Sequence, residues 1–210
     1  MSREAAKVVE IIKSSKHRNL ILYYFFPGLC VGFYATFLYK LIGLSLPQKS
    51  DETVDDYNKR VSFYSGLVFI SLGVSQALTG LLLNRFGERL CKFKAAATIT
   101  LYVEIAGFVS LLCYFLREYW LCFFVAFLWG SAETFIQTNT GALIGIVFPG
   151  KVEAFSAYRI VFAVGTTTTI VLNIALKSLE PWVFLTIVMM VQVVTSYLAN
   201  RIIDLRPQNQ

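Results

Sequence analysis

The sequence predicts an all-α integral membrane protein, a bundle of six spanning helices preceded by a short amphipathic helix. Three observations carry this reading. Charged residues are 15% of the 210 and hydrophobic residues 56%, whereas a soluble domain carries roughly 25% charged residues. The missing charge is concentrated in apolar runs of about 20 residues, the length that crosses roughly 30 Å of hydrocarbon. The Lys and Arg residues fall in short pieces between those runs. This composition excludes a disordered chain and an ordinary soluble enzyme domain. The runs do not alternate apolar and polar as barrel strands must.

Residues 1–18 are polar and charged, with no short apolar core ahead of a small-residue cleavage site, so no secretory signal is expected there. Ala5, Val8, Val9 and Ile12 share one helix side and Arg3, Lys7, Lys13 and Lys16 surround it, the pattern of a helix lying on a membrane surface. A mitochondrial transit peptide fits less well, because Glu4 and Glu10 are unusual in one. The transmembrane domain is then residues 19–203, followed by a polar tail, 204–210. Its six spans run from Asn19 to about Ile42, Val61 to Leu83, Ala95 to Leu116, Tyr119 to Pro149, Ala154 to Leu176, and Pro181 to about Ile203. Glu104 interrupts the third and Glu133 the fourth. The fourth exceeds one straight crossing and is expected to overrun the bilayer or to bend near Gly130 or Gly141.

The loops set the orientation. Thirteen of the 19 Lys and Arg residues fall on the side of the termini, in the N-terminal segment, the 2–3 loop, the 4–5 region and the tail. The positive-inside rule therefore puts both termini in the cytosol, or in the matrix for a mitochondrial protein. The acidic loop 44–60, with Asp51, Glu52, Asp55 and Asp56, lies opposite. A plasma membrane or endomembrane is favoured, with the mitochondrial inner membrane as the alternative. The net charge of +6 does not point to nucleic acid, because a binder gathers its bases on one polar face. The four cysteines form no CxxC, and His17 has no partner at ligand spacing, so neither a metal nor another cofactor is expected. Loops for carrier repeats, NPA half-helices, a potassium filter, a Walker A motif, HExxH and GxSxG are all missing, and nothing argues for an enzyme.

Two motifs carry a resemblance. Gly80 to Arg89, G-L-L-L-N-R-F-G-E-R, resembles the loop motif of the major facilitator superfamily, with Asn84 in place of the usual Asp. In that reading Gly80 permits close helix approach, Gly87 supplies the turn, and Arg85 and Arg89 are cytosolic anchors or pair with a helix end. Trp129 to Gly145, W-G-S-A-E-T-F-I-Q-T-N-T-G-A-L-I-G, followed by E-A-F-S-A-Y-R from Glu153 to Arg159, resembles the second half of the Unc-ninety-three-like family. Glu133 stands where that family has Asp, while Gln137, Asn139, Glu153, Phe155, Tyr158 and Arg159 match in kind. The segment from Phe26 to Leu38 is similar to the family's seventh span.

The resemblance implies a six-helix bundle like one half of a major facilitator superfamily transporter, where the family has about twelve spans. It also implies a non-enzymatic regulatory or trafficking subunit of a channel or receptor. Two alternatives stay open: a transporter half that makes a solute path with another chain, and a structural subunit of a large organellar complex. Each implies the bilayer as one partner and, as the other, a membrane protein or second copy covering the polar face that a half-transporter exposes.

Several side chains have more than one reading. Gly28 and Gly32 on the first span, and Gly66, Gly73, Ala77 and Gly80 on the second, have the spacing of close helix packing. Thr166–Thr169 either bond their hydroxyls one turn back or coordinate an ion. Glu104 and Arg159 lie at compatible depths for an ion pair or a packing contact. Glu133 and Gln137 are four residues apart and form one row with Trp129, Thr140 and Gly141, with Asn139 well off it. An acid, an amide and a hydroxyl in one row are expected to face protein or a central cleft rather than lipid.

Overall fold

Amphipathic spacing over the first residues gives α1, Arg3–Lys13. Ser14 ends it and begins the next helix: its backbone is extended, its Oγ accepts from the His17 N–H at 3.2 Å, and its hydroxyl donates to the Ile11 carbonyl at 2.7 Å. The remaining helices are α2 (Ser15–Ser45), α3 (Val54–Cys91), α4 (Ala95–Leu116), α5 (Tyr119–Val147) and α6 (Glu153–Ala175). This computed structural model describes residues 3–91, 95–175, 180, 182–187, 189–191 and 193–194. Among the described residues there is no strand.

Among the described residues four helices are long and apolar enough to cross a membrane: Tyr24–Ser45 within α2, Val54–Arg85 within α3, and the whole of α5 and α6. These are the first, second, fourth and fifth of the expected spans. The third coincides with α4, 22 residues long, of which Leu101–Leu116 is the described apolar stretch. The sixth span and the polar tail 204–210 lie largely outside the described residues, although 182–187 are helical. α5 runs through Gly130 and Gly141 without interruption for 29 residues, about 43 Å of helix, so it overruns a bilayer core.

Two helix ends differ from expectation. α2 starts inside the polar segment assigned to residues 1–18, and α3 continues to Cys91, so the motif expected to form a loop is helical through Gly87 and Arg89. Gly87 therefore makes no turn. The side chains of Gly87 and Arg89 lie outside the described residues.

Turn chemistry fixes the connections. Thr53 caps α3, its hydroxyl donating to Asp56 Oδ2 at 2.6 Å and accepting from the Asp56 N–H at 3.2 Å. In the same loop Arg60 grips Glu52 with two nitrogens at 2.7 Å each, which holds that carboxyl below the usual carboxylate range. Arg117 closes α4 in the left-handed region (φ 55°), its N–H bonding to the Cys113 carbonyl at 2.9 Å. Gly150 (φ 72°) takes the same conformation between α5 and α6 at no steric cost.

The helices pair mainly as α2 with α6 and α3 with α5, with α4 against α5 and α2 crossing α5. In lipid, burial of apolar area does not drive helices together, so close packing and interhelical hydrogen bonds must. α2 and α6 meet almost backbone to backbone. A Cβ on Gly28 would collide with the Phe162 carbonyl and come within 2.9 Å of the Thr166 nitrogen, and one on Gly32 would lie 2.7 Å from the Thr166 carbonyl. Thr169 then reaches across to the Leu29 carbonyl at 3.2 Å while also bonding Gly165. The hydroxyls of Thr166 and Thr168 likewise donate one turn back.

On α3 the buried stripe is Val61, Ser65, Val68, Leu72, Ser75, Thr79 and Leu83, steps of three and four residues that keep to one helix face. Gly130 of α5 fits against it, 2.6 Å from the Leu72 carbonyl if a Cβ were added. Gly66 and Gly73, expected to pack, lie on the other side of α3, and a Cβ there would meet nothing within 4 Å. Small size permits close approach only where a neighbour is present.

Candidate functional site

The polar row of α5 sits where α2, α3 and α5 converge. Glu133 Oε1 accepts from Gln137 Nε2 at 2.7 Å, one turn along the same helix. Its Oε2 accepts from Gln76 Nε2 of α3 at 2.6 Å and from the Tyr34 hydroxyl of α2. One carboxylate therefore collects three donors from three helices. In hydrocarbon such a group would otherwise cost at least ~2.5 kcal/mol, and each donor lowers that cost by replacing lost water.

The surrounding side chains hold the donors in place. Tyr34 is buried and stacks on Trp129 with centroids 6.1 Å apart. Trp129 also packs on Phe33 at 5.7 Å and donates its Nε1–H to Ser110 Oγ of α4 at 3.0 Å. Thus α4 is tied to the same polar centre through the indole. Thr140, two turns beyond Glu133, is buried and bonds the Ile136 carbonyl at 2.8 Å. Further along α2, Lys40 Nζ donates to Asn173 Oδ1 of α6 at 3.2 Å.

The other expected site residues lie elsewhere. Glu104 is half-buried on α4, and its buried Oε1 has no hydrogen-bond partner among the described residues. No ion pair joins it to Arg159; the guanidinium of Arg159 instead lies 5.5 Å from the Tyr158 ring centroid and 5.7 Å from that of Phe162. Tyr158 is buried beside Tyr24, ring centroids 5.5 Å apart and edge-on, and Tyr24 in turn approaches His17 at 5.3 Å. Asn139 is half-buried, Gly80 touches Thr134 at 4.0 Å from an added Cβ, and Asn84 and Arg85 are exposed near the end of α3. Structure therefore joins Glu133 and Gln137 with two residues not expected, Tyr34 and Gln76. Gln76 carried a signal, as the only amide in the second apolar run; Tyr34 did not, because aromatic residues are common in spans.

Chemically, the centre is a hydrogen-bonded knot joining α2, α3 and α5. Among the described residues no group of three or more His, Cys, Asp and Glu side chains is placed to hold a metal. Cys113 and Cys122 approach to 3.6 Å between sulfurs but are free thiols. Comparison with family models, with curated proteins and with solved structures finds no match to this chain.

Proposed function

We propose that this chain is a non-enzymatic multi-pass membrane protein, folded like the second half of an Unc-ninety-three-like carrier, that serves as a regulatory or trafficking subunit of a channel or receptor. Both termini then face the cytosol, or the matrix in a mitochondrial membrane. The observation that carries this reading is the engagement of Glu133. Three donors occupy its two oxygens, from Tyr34, Gln76 and Gln137. An acid used for ion or proton coupling is presented to a water-filled path, whereas this one binds three helices together. Such a centre suits a rigid membrane scaffold whose work is done at its outer faces.

The test is purification of the tagged full-length chain from its native membrane in mild detergent, with identification of co-purifying membrane proteins. A stoichiometric channel or receptor is the expected result. A chain recovered alone, with solute uptake in proteoliposomes abolished by Glu133→Gln, rejects the subunit reading. One observation bears on the transporter-half alternative: Oε1 of Glu104 is buried and has no hydrogen-bond partner among the described residues. If Glu104→Gln weakens assembly with a second chain and leaves the α2–α3–α5 centre intact, that alternative is favoured.

A further inference from the structure

A groove of about 620 Å³ runs between α1 and α6, well within the range of about 300–1,000 Å³ typical of small-molecule sites. α1 contributes Val8, Val9 and Ile12, and α6 contributes Phe155, Ser156 and Arg159. We propose that this groove binds one anionic phospholipid, with its phosphate on Arg159 and Ser156 and an acyl chain lying along the α1 valines and Phe155. The proposal needs only the membrane placement of α6 and is independent of the carrier-half reading.

Three features of the groove select that occupant. The first is its lining, which is apolar apart from one hydroxyl and one guanidinium. A soluble polar ligand gains little there, whereas a chain with an ionic end matches both parts. The second is the state of the charge. Among the described residues no carboxylate pairs with Arg159. Glu153, the acid one and a half turns earlier on α6, is already engaged by Lys7 at 3.2 Å. Tyr158 and Phe162 hold the guanidinium against their rings, which leaves its planar fork of donors open to a phosphate.

The third feature is depth. Arg159 lies six residues into α6, about 9 Å along the axis. An amphipathic helix such as α1 settles roughly 5–10 Å into the boundary between headgroups and acyl chains. An arginine at that level extends to the headgroups, and the groove places it beside a slot that a lipid tail can fill. The basic character of this side of the chain, with Lys7, Lys13, Lys16, Arg18 and Lys151 nearby in sequence, favours anionic lipid in the same leaflet.

Native mass spectrometry of the full-length chain, offered phosphatidylglycerol and phosphatidylcholine of identical chains in equal amounts, reads the proposal. One phosphatidylglycerol should be retained, with a preference of roughly fivefold, the effect of one well-placed cation near a membrane surface. Arg159→Gln should remove most of that preference, and Arg159→Lys should keep part of it. Arg85→Gln, a charge change on another helix end, should leave it in place. Val9→Phe keeps every charge but fills the slot, and should lower occupancy by both lipids. Because Arg159 and Val9 are exposed, neither change disturbs the packed interior, and circular dichroism confirms the fold of each variant. Equal retention of the two lipids, a preference indifferent to Arg159→Gln, displacement of lipid by millimolar inorganic phosphate, or a co-purified peptide seated in the groove would each overturn it.

Discussion

Substituting alanine at Gly28 probes the tightest contact in the molecule. An added Cβ there collides with the Phe162 carbonyl and sits 2.9 Å from the Thr166 nitrogen, both main-chain atoms of α6. Comfortable carbon contacts need roughly 3.5 Å, so no rotamer change relieves the clash and the two helices must part. Separation also loosens the neighbouring contacts, because Gly32 lies against the Thr166 carbonyl and Thr169 bonds the Leu29 carbonyl at 3.2 Å. Overpacking of this kind costs ~1–3 kcal/mol, and a main-chain collision belongs at the upper end. For a chain of this size each kcal/mol shifts the midpoint by ~2–4 °C, so Gly28→Ala should lower the Tm in detergent by roughly 5–10 °C. Gly73→Ala is the matched control. Its Cβ meets nothing within 4 Å, and the gain in helix propensity is ~0.5–1 kcal/mol, so its Tm should hold or rise. Thermal unfolding followed by circular dichroism at 222 nm compares the two. Equal midpoints for Gly28→Ala and Gly73→Ala would refute the backbone-to-backbone docking of α2 on α6.

The remaining predictions concern single side chains. Glu133→Leu strands three donors at once and should destabilise by ~3–5 kcal/mol, whereas Glu133→Gln, which keeps one acceptor, should cost ~1–2 kcal/mol; steric-trap unfolding in bicelles ranks them, and equal losses would show that the donors do not depend on the acid. Arg117→Gly relieves a left-handed residue at the end of α4 and should add ~0.5–1 kcal/mol, a rise in Tm that an unstrained Arg117 would not give. His17 is fully buried, and among the described residues neither ring nitrogen has a hydrogen-bond partner. Burial pushes its pKa below 6.5, only partly offset by the nearby Ile12 carbonyl. Above its unfolded pKa the ring is neutral in both states and contributes no pH dependence. As pH falls through that value, the opened state takes up a proton that the docked state resists, so stability drops until the lowered folded pKa is passed. Hydrogen-exchange protection factors of α1 and the start of α2, corrected for the intrinsic pH dependence of exchange, should therefore fall as pH is lowered below about 6.5, and His17→Phe should flatten the profile.

Where a sequence boundary was chemical, it was legible. The third span, Ala95 to Leu116, coincides with α4, and Tyr119 opens α5, because Arg117 and Glu118 supply both a charge and a left-handed stop. Where the boundary was only a change of polarity, the helix ran past it. Asn84, Arg85 and Glu88 mark the end of the apolar run, yet α3 continues to Cys91. Those residues are adequate helix formers, and one glycine at position 87 costs about 1 kcal/mol, too little to end a helix of 38 residues. The same holds at the other end of the chain, where Lys16, His17 and Arg18 belong to α2. Hydropathy locates hydrocarbon, and capping locates helix ends.

The site followed a similar division. Helical spacing alone put Glu133 and Gln137 on one line, because positions four apart share a face on any α-helix. It could not name Tyr34 or Gln76, since their meeting with Glu133 depends on how α2 and α3 dock on α5. That docking is set by features without chemical character: Gly28 and Gly165 let α2 and α6 touch, and Gly130 admits the Leu72 carbonyl of α3. The glycines at 66 and 73, seven apart, share one helix face as the pair at 28 and 32 does, yet they face open space. Spacing selects residues that permit contact, while the partner's stripe decides which of them are used. For α3 that stripe runs through Val61, Val68, Leu72 and Ser75, and Gln76, beside Ser75, is turned by this docking into reach of Glu133. The polar centre is thus a consequence of the packing as much as its cause, which is why moving one glycine on α3 onto that stripe should matter more to Glu133 than any change of charge at the helix ends.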